Sequence, residues 1–206
     1  MVILENLEEM EVLEVYHKGV LIKKDEKTEI RPCSPCLKNT VHLKNFDMED
    51  LCLVHKGGKA HVLQMVEGQI VTADVLEEVP FCEQEGKKAF APDAVWQKMA
   101  VIERHKCTGK IGLGIVKGFG IQGGAIASSV SHDSHNLIVI GDNDRDMYLA
   151  VQELVRTQGG YTLVEKGKVF DTLPLPVMGL MSDAGYEKVN EILKRMIPKA
   201  HSMGIK

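Results

Sequence analysis

Ser131-His132-Asp133-Ser134-His135-Asn136 places two imidazoles, a carboxylate, two hydroxyls and an amide in six consecutive positions. Histidine is the usual acid, base and metal ligand near neutral pH. A neighbouring carboxylate can orient an imidazole or accept a hydrogen bond from a substrate N–H. His132, Asp133 and His135 are therefore the candidate catalytic groups. In an extended chain His132 and Ser134 face one way and Asp133 and His135 the other, so only a turn would gather them. The His-x-x-His spacing by itself defines no metal site, and the bland alternative is a polar loop that hydrogen-bonds its own backbone. The apolar run Leu137-Ile138-Val139-Ile140 follows at once and reads as a short buried strand at whose mouth the cluster sits.

Three other patterns carry less. Cys33-Ser34-Pro35-Cys36 has the spacing of a zinc half-site or a dithiol, but no second CxxC and no HxxxH completes it. Gly118-Phe119-Gly120-Ile121-Gln122-Gly123 matches G-x-G-x-x-G, with Asp142 about 20 residues on. The helix that must follow such a fingerprint is not encoded: residues 121–136 are rich in glycine and serine and lack apolar periodicity. A glycine bend is the simpler reading, and no affinity for NAD or FAD is expected. Asp142, Asp144 and Asp146 have the alternate spacing of a calcium loop, but Met147 stands where such a loop needs glycine. Acids at a helix start explain them better.

The elements that position these residues read as a mixture. Glu11–Tyr16 and Val20–Ile22 flank a turn at Lys18-Gly19, residues 31–50 read as loop, and short apolar runs recur from Glu49 to Ile70 with a break at Lys56-Gly57-Gly58. Residues 1–80 are thus expected to be β-rich. A soft boundary is placed across 80–94, and residues 90–206 form a second, α/β region. Met99–Ile102 and Ile111–Val116 should make a hairpin around His105–Lys110. Met147, Val151, Leu154 and Val155 have helical spacing, with Asp142 or Asn143 as N-cap and Gly159-Gly160 at the end. With Leu137–Ile140 and Tyr161–Val164 this gives a β-α-β stretch. A closing helix is expected from Tyr186 to Met196, stopping before Pro198. The fold class is α+β.

The 206 residues carry a net charge of −4 and 44% hydrophobic side chains, which argues against a nucleic-acid or membrane surface. The acidic N-terminus is unlike a signal peptide, and an odd set of five cysteines does not suggest a disulfide framework, so a cytoplasmic location is expected.

The stretch from Gly118-Phe119-Gly120 through Gly124–Ser128 and Val130–Asn136 resembles the C-terminal region of adenine deaminases. The likeness continues through Asp146-Met147, Ala150-Val151, Gly159-Gly160, Leu173–Pro176 and Gly179–Ser182. It covers about residues 90–185, and Val12–Ile22 is similar to the β-segment that follows the barrel in such enzymes. The resemblance implies a metal-dependent amidohydrolase that converts adenine and water to hypoxanthine and ammonia. It also implies a dinuclear manganese or iron site in a (β/α)8 barrel. This chain has no His-x-His and is too short for the roughly 250 residues of a barrel. No cofactor is therefore expected on it, and the family's usual final segment is expected to be missing as well. The resemblance is compatible with a fragment, a subunit of a split enzyme or a stand-alone descendant. It further implies that His132, Asp133 and His135 serve a purine site, with Ser131, Ser134 and Asn136 binding the substrate. A barrel-bearing subunit, adenine or a related purine, and a second copy of the chain are the expected partners. The alternative is a non-catalytic small-ligand-binding or oligomerisation module.

Overall fold

The computed structural model describes residues 1–22, 32–55, 57–84 and 86–205. Lys56, part of the expected break at Lys56-Gly57-Gly58, lies outside them. The chain divides into two compact units, Met1–Arg31 and Pro32–Lys206. In the first, strands β1 (Val2–Leu4), β2 (Val12–His17) and β3 (Val20–Ile22) form an antiparallel sheet in the order β1-β2-β3. The expected turn at Lys18-Gly19 joins the last two.

The second unit contains short 3-10 turns at Pro35–Leu37 and Met48–Leu51, then β4 (Lys59–Met65), β5 (Thr72–Glu78), β6 (Phe81–Gln84) and β7 (Lys87–Phe90). These are followed by β8 (Trp96–Ile102), β9 (Ile111–Lys117), β10 (Gly124–Ser128), β11 (Leu137–Gly141) and helix α1 (Asp144–Thr157). Strands β12 (Gly160–Glu165) and β13 (Lys168–Pro174) and helix α2 (Tyr186–Ser202) complete it. One eight-stranded sheet runs β13-β12-β10-β11-β8-β9-β4-β5. Its neighbours are antiparallel except β4 and β9, which pair parallel at Leu63 with Val116 and Gln64 with Lys117. The α+β class is what this sheet and two helices make. That parallel pairing joins β4 and β5 to the strands that follow residue 94.

Helix α1 forms where the periodicity predicts it. The Asn143 side chain accepts from the Asp146 N–H, and Gln158 ends the helix in the left-handed region. Met147, Ala150, Val151 and Leu154 are fully buried against Ala100, Ile102, Ala125, Ala127, Leu137 and Val139. Burying each large side chain of that stripe contributes about 1.5–3 kcal/mol. The β-α-β stretch is present with one addition: β10 lies between β11 and β12 and is antiparallel to both, which leaves those two parallel to each other. Strand β10 itself was not foreseen. Its sequence Gly-Ala-Ile-Ala-Ser is buried on both faces, so it shows no alternation. Gly124 is required there, because a Cβ would lie 2.0 Å from the Val164 carbonyl oxygen.

Helix α2 runs to Ser202, through Pro198 instead of stopping before it. The proline removes one backbone hydrogen bond. Beyond it, Met203 is buried and its carbonyl accepts from the Gln122 N–H, which holds the last turn in place. Ile192 and Met196 pack with Ile121, Leu163, Leu173 and Leu175 on the sheet face opposite α1.

Candidate functional site: an anchored polar loop

The loop from Ser129 to Asn136 joins β10 to β11. The register pairs Leu137 with Ile102, so the loop's end lies beside the residues that leave β8. Ser128 pairs with Tyr161, which places the loop's start beside the residues that precede β12. Strand β11 is alternately buried and half-buried, a rigid support beneath the polar run.

The backbone of the loop is tied at several points. The His135 N–H donates to the Ser131 carbonyl at 2.6 Å, closing a turn in which His135 has φ 52°. Ser129 Oγ donates to the Gly179 carbonyl at 2.5 Å and accepts from the Gly160 N–H at 2.7 Å. Ser134 Oγ accepts from the Asn136 N–H at 3.3 Å. The Ser134 carbonyl is 3.0 Å from His105 Nε2.

The side chains do the opposite. His132 and Asp133 pair with each other through Nδ1 and Oδ1, and each side chain is 84% exposed. The His132 and His135 rings meet edge to face with centroids 6.1 Å apart. The turn thus gathers His132, Asp133 and His135, which an extended chain would have split. Ser134 is exposed, while Ser131, His135 and Asn136 are half-buried. His135 Nδ1 and Asn136 Oδ1 are buried atoms with no hydrogen-bond partner among the described residues. Such atoms leave donor and acceptor capacity unspent at the edge of the cluster.

Three residues outside the sequence motif complete the surroundings. Glu103 accepts from the backbone N–H groups of His105, Lys106 and Thr108 and from the Thr108 hydroxyl. These donors, led by the Thr108 N–H, hold its carboxyl down to about 2. They shape the β8–β9 loop that presents His105. Arg104 is buried beneath the polar loop and donates to the His135 carbonyl at 2.5 Å. Nothing local in the sequence marks Arg104 or His105, since their partners lie between 29 and 74 residues away along the chain.

The other patterns are occupied by the fold. Asp142 accepts from the N–H groups of Gly123 and Gly124 at 2.5 and 3.1 Å, and Gly120 N–H donates to Gln97 Oε1. The glycine run is a bend feeding a strand, with no helix to receive a pyrophosphate. Asp146 accepts from the Gly167 N–H and from Asn143 Nδ2. Cys36 lies inside the 3-10 turn Pro35–Leu37 and Cys33 precedes it, and Cys36 Sγ contacts Ser34 Oγ at 3.2 Å. Among the described residues no group of three or more His, Cys, Asp or Glu is arranged to hold a metal ion. The dinuclear site implied by the resemblance finds no ligand shell here, and no step through a metal is derived for this chain. No described helix is long and apolar enough to cross a membrane.

Comparison with known proteins matches residues 69–206 to the model of the adenine deaminase C-terminal domain. The chain belongs to that family. It is 48% identical over 204 residues to an adenine deaminase of Desulfitobacterium hafniense, which covers 99% of this chain and 35% of the relative. An adenine deaminase of Dehalococcoides mccartyi is 39% identical over 211 residues, covering 100% of this chain and 36% of the relative. One from Petrotoga mobilis is 36% identical over 212 residues with the same coverage. The chain thus spans about a third of the length of the curated relatives it matches, and the family membership extends over the polar loop, Arg104 and both helices.

Proposed function

We propose that this chain supplies one wall of the purine site of an adenine deaminase and is inactive by itself. The observation that carries the reading is the contrast inside the 131–136 loop: a backbone fixed at several points, and a His132–Asp133 pair left 84% exposed. Groups arranged that way are ready to meet something outside this chain. Imidazole, carboxylate, hydroxyl and amide together offer the donors and acceptors that a purine's ring nitrogens and exocyclic amine require. Asp133 would accept from the amine, and His132 or His135 would carry a proton to or from it. Ser131, Ser134 and Asn136 would bind the ring edge. The water-activating ions, manganese or iron by the family resemblance, would belong to a barrel-bearing part not included in these 206 residues. The cytoplasm, where thiols stay reduced, suits a chain with five cysteines.

The test is a chimera in which this chain replaces the matching stretch of the Desulfitobacterium relative, assayed for hypoxanthine and ammonia. The chimera should turn over adenine and the chain alone should not. His132→Ala or Asp133→Ala should each lower kcat/KM by about a hundredfold, the scale of losing a positioned proton-transfer group. Unchanged kinetics in both variants would refute the reading. Adenine binding to the chain without any effect on turnover would favour a plain ligand-binding module.

A further inference from the structure

The exposed side chains of the 131–136 loop have few partners of their own, so their placement depends on what holds the loop. Arg104 is only 1% exposed. Its Nε donates to the His135 carbonyl at 2.5 Å. One terminal nitrogen donates to the Thr40 carbonyl at 2.9 Å and lies 3.2 Å from the Thr40 hydroxyl. The other donates to the Met178 carbonyl at 3.0 Å. The guanidinium therefore joins three segments that are far apart in sequence, and no ion pair to a carboxylate is recorded for it among the described residues. Burial pushes its pKa down from the usual arginine value, and nothing recorded offsets that.

A buried cation without a counter-ion is a poor way to stabilise a core, since an apolar side chain of similar volume often does as well. What the guanidinium adds is direction: a planar fork of donors that fixes carbonyls at set angles. The seat is closely fitted on the far side too. At Gly179, which has φ +71°, a Cβ would lie 2.9 Å from both terminal nitrogens of Arg104. His135 is then held on both sides of its backbone, by Ser131 at its N–H and by Arg104 at its carbonyl.

We propose that Arg104 is the positioning residue of the polar loop, acting through the His135 carbonyl to set where the His132, Asp133 and His135 side chains project. It does not touch the substrate. The consequence for adenine rests on the purine-site reading above, whereas the placement of the loop does not.

The experiment uses the intact chain. Ring 1H–13C resonances of its histidines are compared at one pH for the wild type, Arg104→Lys, Arg104→Met and Gly179→Ala, together with thermal unfolding and adenine titration. Lysine keeps the charge and loses the fork, methionine keeps the volume, and Gly179→Ala disturbs the seat with the arginine retained. The His105, His132 and His135 rings should move in all three variants while those of His61 and His201, bonded elsewhere, stay put. If the wild type binds adenine, Arg104→Lys should weaken that binding about tenfold, as a misplaced site does. Lowered Tm with unmoved His132 and His135 resonances would overturn the proposal, leaving Arg104 a core residue only. A wild type that ignores adenine while its variants still move those rings would sustain the positioning role, and the chimera's turnover then decides the purine reading by itself. Should Arg104→Met fail to fold, the lysine and alanine variants decide the matter.

Discussion

Two connections of the same sheet carry motif-like sequences, and the fold treats the polar groups at them in opposite ways. In the bend 118–124, the carboxylate of Asp142 is consumed by the backbone N–H groups of Gly123 and Gly124. In the loop 131–136, the backbone is tied by Arg104, Ser129 and its own turn, and the His132 imidazole and the Asp133 carboxylate are left facing outward. The first pattern resembles a dinucleotide fingerprint in sequence and is structural in fact. The comparison teaches that a polar residue is available for chemistry only when the fold has not already spent its donors and acceptors.

The largest effect expected from breaking this contrast is at the bend. Asp142→Ala should destabilise the protein by roughly 2–4 kcal/mol, the cost of leaving two part-buried N–H donors unpaired, as measured by urea unfolding. A loss under half a kcal/mol would mean that Asp142 is as free as the loop residues. Next comes Glu103, whose carboxyl is held at about 2 by the N–H groups of the β8–β9 loop. A depressed carboxyl stabilises the fold above its unfolded value and loses that contribution as pH falls through the folded one. The amide resonances of His105, Lys106 and Thr108 should therefore hold steady through the ordinary carboxylate range and shift together only near pH 2. A common midpoint near 4.5 would show that the loop is not organised by Glu103. The smallest effect is at the exposed pair: His132→Ala and Asp133→Ala should each change unfolding free energy by no more than about 0.5 kcal/mol, as surface residues do. Calorimetry showing a drop like that of Asp142→Ala would erase the distinction between the two connections.

Much of the architecture was written locally. Met147, Val151 and Leu154 recur at helical spacing behind Asn143, and that order predicts α1 and its cap because both depend on neighbours within one or two turns. The β8–β9 hairpin is similarly legible, with its glycine-bearing loop between two β-type runs. Strand β10 was not, because a strand buried on both faces shows no period and its glycine is set by the approach of Val164. Nor was the passage of α2 through Pro198, where burial of Met203 offsets a local rule.

The candidate site divides along the same line. Residues 131–136 declare their chemistry by type and proximity, and that alone singles them out together with the family resemblance. Sequence also carried the absence of a His-x-His pair. What only the tertiary structure decided is which way those groups point and what holds them: a turn that brings His132, Asp133 and His135 together, and a buried Arg104 reaching across from the β8–β9 loop. The reason is physical. Side-chain identity and helical or strand period are local properties of the chain, whereas the partners of a buried guanidinium or a backbone carbonyl are set by which distant segments pack side by side.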